Sequence, residues 1–161
     1  MILDLVPPNS EILFKKLPRF NFANPPADPI EIAKNLTETM ISHKGLGLAA
    51  NQVGLEHRVF VVTSNPVICC FNPIIVDETP ETNTMEEGCL SVPGMVLKIK
   101  RPNGIRIRYT QPNGETVTKV YQGYTARIMC HEYDHLEGIL FTKRASKVHL
   151  AIAQSKMKAK I

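Results

Sequence analysis

Apolar positions first recur at helical spacing at Ile30, Ile32, Ala33, Leu36, Met40 and Ile41. That stripe predicts a helix. Asp28 suits its N-cap, Pro29 its first position and Gly45 its stop. HRVFVVTS (57–64) then reads as a strand, and VICCFNPIIVDE (67–78) as another, interrupted at Asn72-Pro73. From Met95 to Gly123 apolar and polar residues alternate, divided by Pro102-Asn103-Gly104 and Pro112-Asn113-Gly114. Two such turn signals predict an antiparallel meander. The period returns to helical in YTARIMCHEYDHLEG (124–138) and again in ASKVHLAIAQSKMKAK (145–160). The first 26 residues are irregular and punctuated by proline. With no repeat and no linker, one α+β domain over residues 1–161 is expected.

Composition narrows the classes. A chain of 161 residues, 43% hydrophobic and 21% charged, can build a globular core. No stretch approaches the roughly 20 apolar residues of a membrane span. The start, MILDLVPPNSEILFKKL, has neither a basic segment before an apolar run nor a small-residue cleavage site, so no leader is expected. The net charge of +4 gathers late: after Glu137 come Lys143, Arg144, Lys147, Lys156, Lys158 and Lys160, and no acid. A solvated helix face is the simpler reading, since no aromatics are interleaved for base stacking. Cys69, Cys70, Cys89 and Cys130 form no C-x-x-C pair. Reduced thiols, and so a cytoplasmic or organellar setting, are expected.

The candidate chemistry begins at CHEYDH (130–135). On a helix His131 and His135 lie about 40° apart, one turn apart on one face, and both can reach one metal. Glu132 flanks that face, near enough to take a proton from metal-activated water. A polar helix face would give the same letters by chance. A catalytic site of this kind also needs a third protein ligand. Nothing acidic follows Glu137, and position 141 is Phe141. The ligand is then His149 or lies upstream. Upstream, EEGCLSVPG (86–94) offers Cys89, a good thiolate ligand for iron(II) or zinc, or else a structural thiol. GLGLAANQVG (45–54) offers glycines that let backbone approach a ligand, and Gln52 as an uncharged donor for an oxyanion. Alone, that segment also reads as a helix stop and turn.

Together and in this order, GLGLAANQ, EGCLS and HEYDH resemble the signature of the peptide deformylases, G-x-G-L-A-A-x-Q, E-G-C-L-S and H-E-x-D-H. FNP (71–73) and the Ala126-Arg127 pair resemble the family as well, and the likeness spans nearly the whole chain. It implies antiparallel sheets around a central helix bearing the two histidines, with a helix toward each end. It implies Cys89, His131 and His135 as ligands of one divalent ion, natively Fe2+, with Zn2+, Ni2+ or Co2+ able to substitute. It implies Glu132, Gln52 and the N–H of Leu90 as the catalytic groups. The activity implied is removal of formyl from N-formylmethionyl peptides, at the ribosome exit or free, by a monomer with no specific nucleic acid or membrane partner.

The residues suggest how a substrate would lie. An extended peptide fits between Gly45, Leu46 and Gly47 on one side and the strand leading to Gly88 and Cys89 on the other. Ile128, one turn before His131, and Leu46 are expected around the methionine side chain, with Tyr124 a further liner; core packing is the alternative for Ile128. Asp134 is expected to order Arg127 or another group behind the ligands, or to be an exposed helix carboxylate, and Glu87 to pair with Arg101 or form a solvated rim. The chain departs from the family in three places: Cys130 stands where glutamine is usual, no arginine lies near Gly94–Val96, and PPNSEIL only loosely matches the usual start. Cys130 points away from His131 and is not expected to be a ligand. The rival readings are a zinc endoprotease, lacking its downstream ligand, a structural metal site, lacking a fourth, and a silent binding module, which intact Glu132, Gln52 and Cys89 argue against.

Overall fold

The computed structural model describes residues 1–159; Lys160, counted above in the basic tail, lies outside them. Its elements run α1 (Pro29–Ser42), β1 (Gly47–Ala49), β2 (Val59–Val62), β3 (Ile68–Glu78), β4 (Thr82–Glu87), β5 (Leu97–Pro102), β6 (Gly104–Thr110), β7 (Thr116–Gln122), α2 (Gly123–Leu136) and α3 (Lys147–Ala159). The strands form an antiparallel five-stranded sheet, ordered β1-β2-β3-β6-β7, and a two-stranded sheet, β4-β5. The expected α+β class, with antiparallel sheets and a helix toward each end, is what is observed. No helix among the described residues is long and apolar enough to cross a membrane.

Helix α1 starts as expected, with the Asp28 carboxylate accepting from the Ile30 N–H and Pro29 in the first turn. Its buried stripe is narrower than the sequence suggested. Ile32, Leu36, Thr39 and Met40 face inward, while Ile30 and Ile41 are 62% and 63% exposed.

The meander is corrected. Strand β5 pairs with β4, Glu87 opposite Leu97 and Thr82 opposite Pro102. Only Asn103 separates β5 from β6, too short a link for a hairpin, which needs at least two residues. The chain therefore runs straight on from the small sheet into the large one. The second turn signal does make a hairpin, β6-β7, with Gly114 at φ +89°. Strand β3 is continuous rather than interrupted, but it bulges at Asn72 (φ +50°), where the register shifts. The Asn72 amide there exchanges two hydrogen bonds with the Phe20 backbone, at 2.7 and 2.8 Å, tying down the irregular N-terminal segment.

Helix α2 packs against β1, β2 and β7 and also reaches β5. It thus spans the junction of the two sheets. Its end is fixed by Gly138 (φ +73°), whose N–H donates to His135 O at 3.0 Å while Ile139 N–H donates to Asp134 O at 2.8 Å. This paired cap needs a left-handed residue, and a Cβ at Gly138 would lie 2.7 Å from the Phe14 backbone. A smaller core of Met95, Leu97, Ile99, Phe141 and Ala153 holds β5 against α3.

Candidate metal centre

Cys89, His131 and His135 each turn one ligand atom toward a common point, all within 4.8 Å of one another. The two histidines are buried and Cys89 is partly buried. Cys89 Sγ lies 3.4 Å from His135 Nε2. His131 Nδ1 lies 2.9 Å from Glu87 Oε1, so its other nitrogen is left to face the cluster. A carboxylate on the far imidazole nitrogen is what orients a metal-bound histidine and fixes its tautomer. A thiolate and two imidazoles suit one borderline-soft divalent ion and leave a position open. His149, the other sequence candidate, is exposed on α3 and takes no part. Cys130 is also absent from the cluster; burial pushes its thiol up to about 11.

Glu87 pairs with Arg101, as one reading of the sequence has it, and is the hub of a larger cluster that the sequence did not reveal. Its carboxylate accepts from Arg101 Nε and NH2, both at 3.0 Å, from Arg127 NH1 at 2.6 Å and from His131. Burial alone would raise its pKa, but hydrogen bonds from His131 and Arg101 and their charges pull it down to about 2. The Glu87–Arg101 pair is therefore a buried one, not a solvated rim. Asp134 does not order Arg127. It accepts from Arg101 NH1 at 2.7 Å and from Arg144 at 2.9 and 3.0 Å. Arg127 instead reaches the Ile99 carbonyl and Asn83. One signal was available: in LKIKR the inward alternation Leu97, Ile99 ends on Arg101, which places a charge on the buried face.

Glu132 is buried beside the cluster, and its Oε1 has no hydrogen-bond partner among the described residues. Burial, with the nearby Glu87 charge, raises its pKa to about 7 against the opposing effect of His131. A carboxylate that titrates near neutrality can both take and return a proton. His131 goes the same way: burial opposes its charge, but bonds to Cys89 and Glu87 lift it to about 10. Burial and the His131 charge hold His135 well below its ordinary value.

Gln52 is buried, not on the surface. Its orientation is set at both ends. The Ala49 N–H donates to its Oε1 at 2.9 Å, and its Nε2 donates to Ser91 Oγ at 3.0 Å and lies 3.9 Å from Cys89 Sγ. Neighbouring Asn51 donates to the His135 carbonyl at 2.7 Å, locking this segment to the end of α2. Leu90 follows Cys89 on the opposite wall.

These groups share a cleft of about 550 Å³. Gly45, Leu46, Gly47, Gly88, Tyr124 and Ile128 all line it, together with Gln52, Cys89, Leu90, His131 and Glu132. His135 lies beneath. Gly47 is sterically crowded: a Cβ there would stand 2.7 Å from Glu132 Oε2 and 2.9 Å from Ile128 Cγ2, so those side chains would have to shift. Gly47→Ala should push Glu132 aside. We expect catalytic efficiency to fall by about 100-fold, as displacements near 1 Å can do, with a stability loss of about 1–3 kcal/mol. Turnover and thermal melting of the variant would check both; unchanged turnover would show that Glu132 can move freely.

Comparison with known proteins adds a family. The profile of the polypeptide deformylases matches residues 2–151. The peptide deformylase of Thermotoga petrophila is 41% identical over 125 residues, 77% of this chain and 76% of that one. That of Christiangramia forsetii is 34% identical over 98% of this chain and 88% of its own length. Among solved structures, a peptide deformylase from Synechococcus elongatus in complex with actinonin superposes with a TM-score of 0.89 at 32% identity, covering 96% of this chain and 85% of that one. A Met-Ala-Ser-bound class I type b enzyme from Acinetobacter baumannii gives 0.83 at 32%, covering 89% and 98%.

Proposed function

The chain belongs to the polypeptide deformylase family, and from that premise we infer its chemistry. It is a metal-dependent hydrolase that removes the N-formyl group from N-formylmethionyl peptides, releasing formate and a free amine. The observation that carries this reading is the convergence of Cys89, His131 and His135 beside the unpaired carboxylate of Glu132.

The residue roles follow from chemistry. Cys89, His131 and His135, the last two on the central helix α2, would hold one divalent ion, which when bound supplies Lewis-acid activation of water. Glu132 takes the proton from the attacking water and gives it to the departing amine. The Gln52 amide and the Leu90 N–H donate to the oxygen that becomes negative as the formyl carbon turns tetrahedral. Ile128 and Leu46 receive the methionine side chain, and Gly45, Gly47 and Gly88 let the peptide backbone lie close to the walls. The Met-Ala-Ser held by the Acinetobacter baumannii enzyme supports a peptide in this cleft. We propose Fe2+ as the native ion because membership of the family implies it; one thiolate and two imidazoles also accommodate Zn2+, Ni2+ or Co2+. The whole chain would act as one monomeric catalytic domain where formylated chains are made, in a bacterial cytoplasm or an organelle, at the ribosome exit or after release.

The test is formate release from formyl-Met-Ala-Ser by protein loaded anaerobically with Fe2+ or Ni2+. Activity should vanish with a strong chelator and return when Ni2+ is restored. A folded, metal-loaded protein that releases no formate would overturn the reading.

A further inference from the structure

One wall of the cleft ends on a residue that is costly to place there. Helix α1 closes with two backbone bonds, Lys44 N–H to Ile41 O at 3.0 Å and Gly45 N–H to Met40 O at 2.9 Å. This cap puts one residue in the left-handed region, where glycine is the usual occupant. Here it is Lys44, at φ +56°, although a glycine stands next to it. A side chain in that conformation costs free energy that glycine would not. Non-glycine residues held this way cluster at ligand-contacting segments.

Lys44 is exposed and lines the cleft. Among the described residues it takes part in no ion pair. The other fixed charges of the lining are buried: Glu132 on the floor, and Glu87 and Arg127 bound to each other. The facing loop, Pro93 and Gly94, is uncharged. Lys44 is therefore the exposed fixed charge among the residues that line the cleft. Gly47 touches Glu132, at the reacting end. Lys44 stands three residues further along the same segment, which turns out of the α1 cap before β1 begins at Gly47, so the two lie at most roughly 10 Å apart. A peptide whose formyl group reaches Glu132 therefore comes within reach of the long Lys44 side chain no more than about two residues after its methionine.

Resting on the deformylase reading, we propose that Lys44 selects formyl-methionyl peptides with an acidic side chain two residues after the methionine. The probes are the C-terminal amides of formyl-Met-Ala-Asp, formyl-Met-Ala-Ser and formyl-Met-Ala-Lys, so that only the side chain changes charge. For the metal-loaded wild type, kcat/KM should favour Asp over Lys by about five-fold at low ionic strength, the upper range for an exposed pair. The preference should shrink toward equality in 1 M salt. Lys44→Glu should reverse the order. Lys44→Gly should erase it while the melting temperature holds or rises, because glycine suits the left-handed position. Formate release at equal kcat/KM from all three peptides, or an order unaltered in Lys44→Glu, overturns this inference alone. No formate from any of them overturns the deformylase reading, and the inference with it.

Discussion

Replacing Glu132 by glutamine should lower formate release by about 10²- to 10⁴-fold, the range for a positioned acid–base group. Glutamine keeps the shape that packs against Gly47 but cannot take a proton. The metal should remain, since Glu132 is outside the ligand cluster. The metal-free variant should also be more stable than metal-free wild type above neutral pH. In the fold the Glu132 pKa is raised from 4.5 to about 7, chiefly by burial. The folded state thus binds the proton more tightly than the unfolded one, so wild-type stability falls as pH rises from about 4.5 to 7. The variant lacks that slope. Formate assays with metal analysis, and melting curves at pH 5 and 8, would check both parts. A variant that keeps a tenth of wild-type turnover would remove Glu132 from the chemistry.

The second large effect is expected at Glu87. Glu87→Ala leaves the guanidiniums of Arg101 and Arg127 buried without their shared carboxylate. Breaking a buried network from one side costs about 3–5 kcal/mol. Urea denaturation should find that loss, and a change under 1 kcal/mol would mean the network is not coupled. Glu87→Gln keeps the volume but weakens the hold on His131 Nδ1. Metal affinity should then drop about 10- to 100-fold, as for other groups that orient a ligand. The same carboxylate gives an acid limit. Its pKa is lowered from 4.5 to about 2, so its stabilisation is complete above about pH 4.5 and is lost as pH falls toward 2.

How far these residues could be read from sequence depended on what each one touches. Helix α2 and the hairpin β6-β7 announce themselves, because their apolar periods and the glycine turn are local. His131, Glu132 and His135 are legible for the same reason: one helix fixes their spacing. Cys89 and Gln52 became legible only through the joint order of three motifs, since nothing local says that they meet. Strand β4, TNTMEE, was legible only at its end, as the strand leading to Gly88 and Cys89, because it carries almost no apolar alternation. It is held instead by pairing with β5 and by Arg127 on Asn83. Strand β5 was found but given the wrong partner, because pairing is a long-range choice that alternation does not encode. Of the Glu87 hub only the pair with Arg101 was legible; Arg127 and His131, 40 and 44 residues away on α2, were missed because nothing local says that they meet it.

That separation has a consequence for when the protein can work. Cys89 follows the last strand before β5, Gln52 follows β1, and both histidines sit on α2 near the end of the chain. Helix α2 bridges the two sheets, and Asp134 on it is gripped by Arg144. A nascent chain stopped before residue 123 would carry the thiol and the amide but no imidazole from α2. Metal capture should therefore wait until α2 has been made and both sheets have something to close upon. Ion uptake during refolding would then mark the docking of α2 rather than any early step, and would separate chains with that helix in place from compact ones without it.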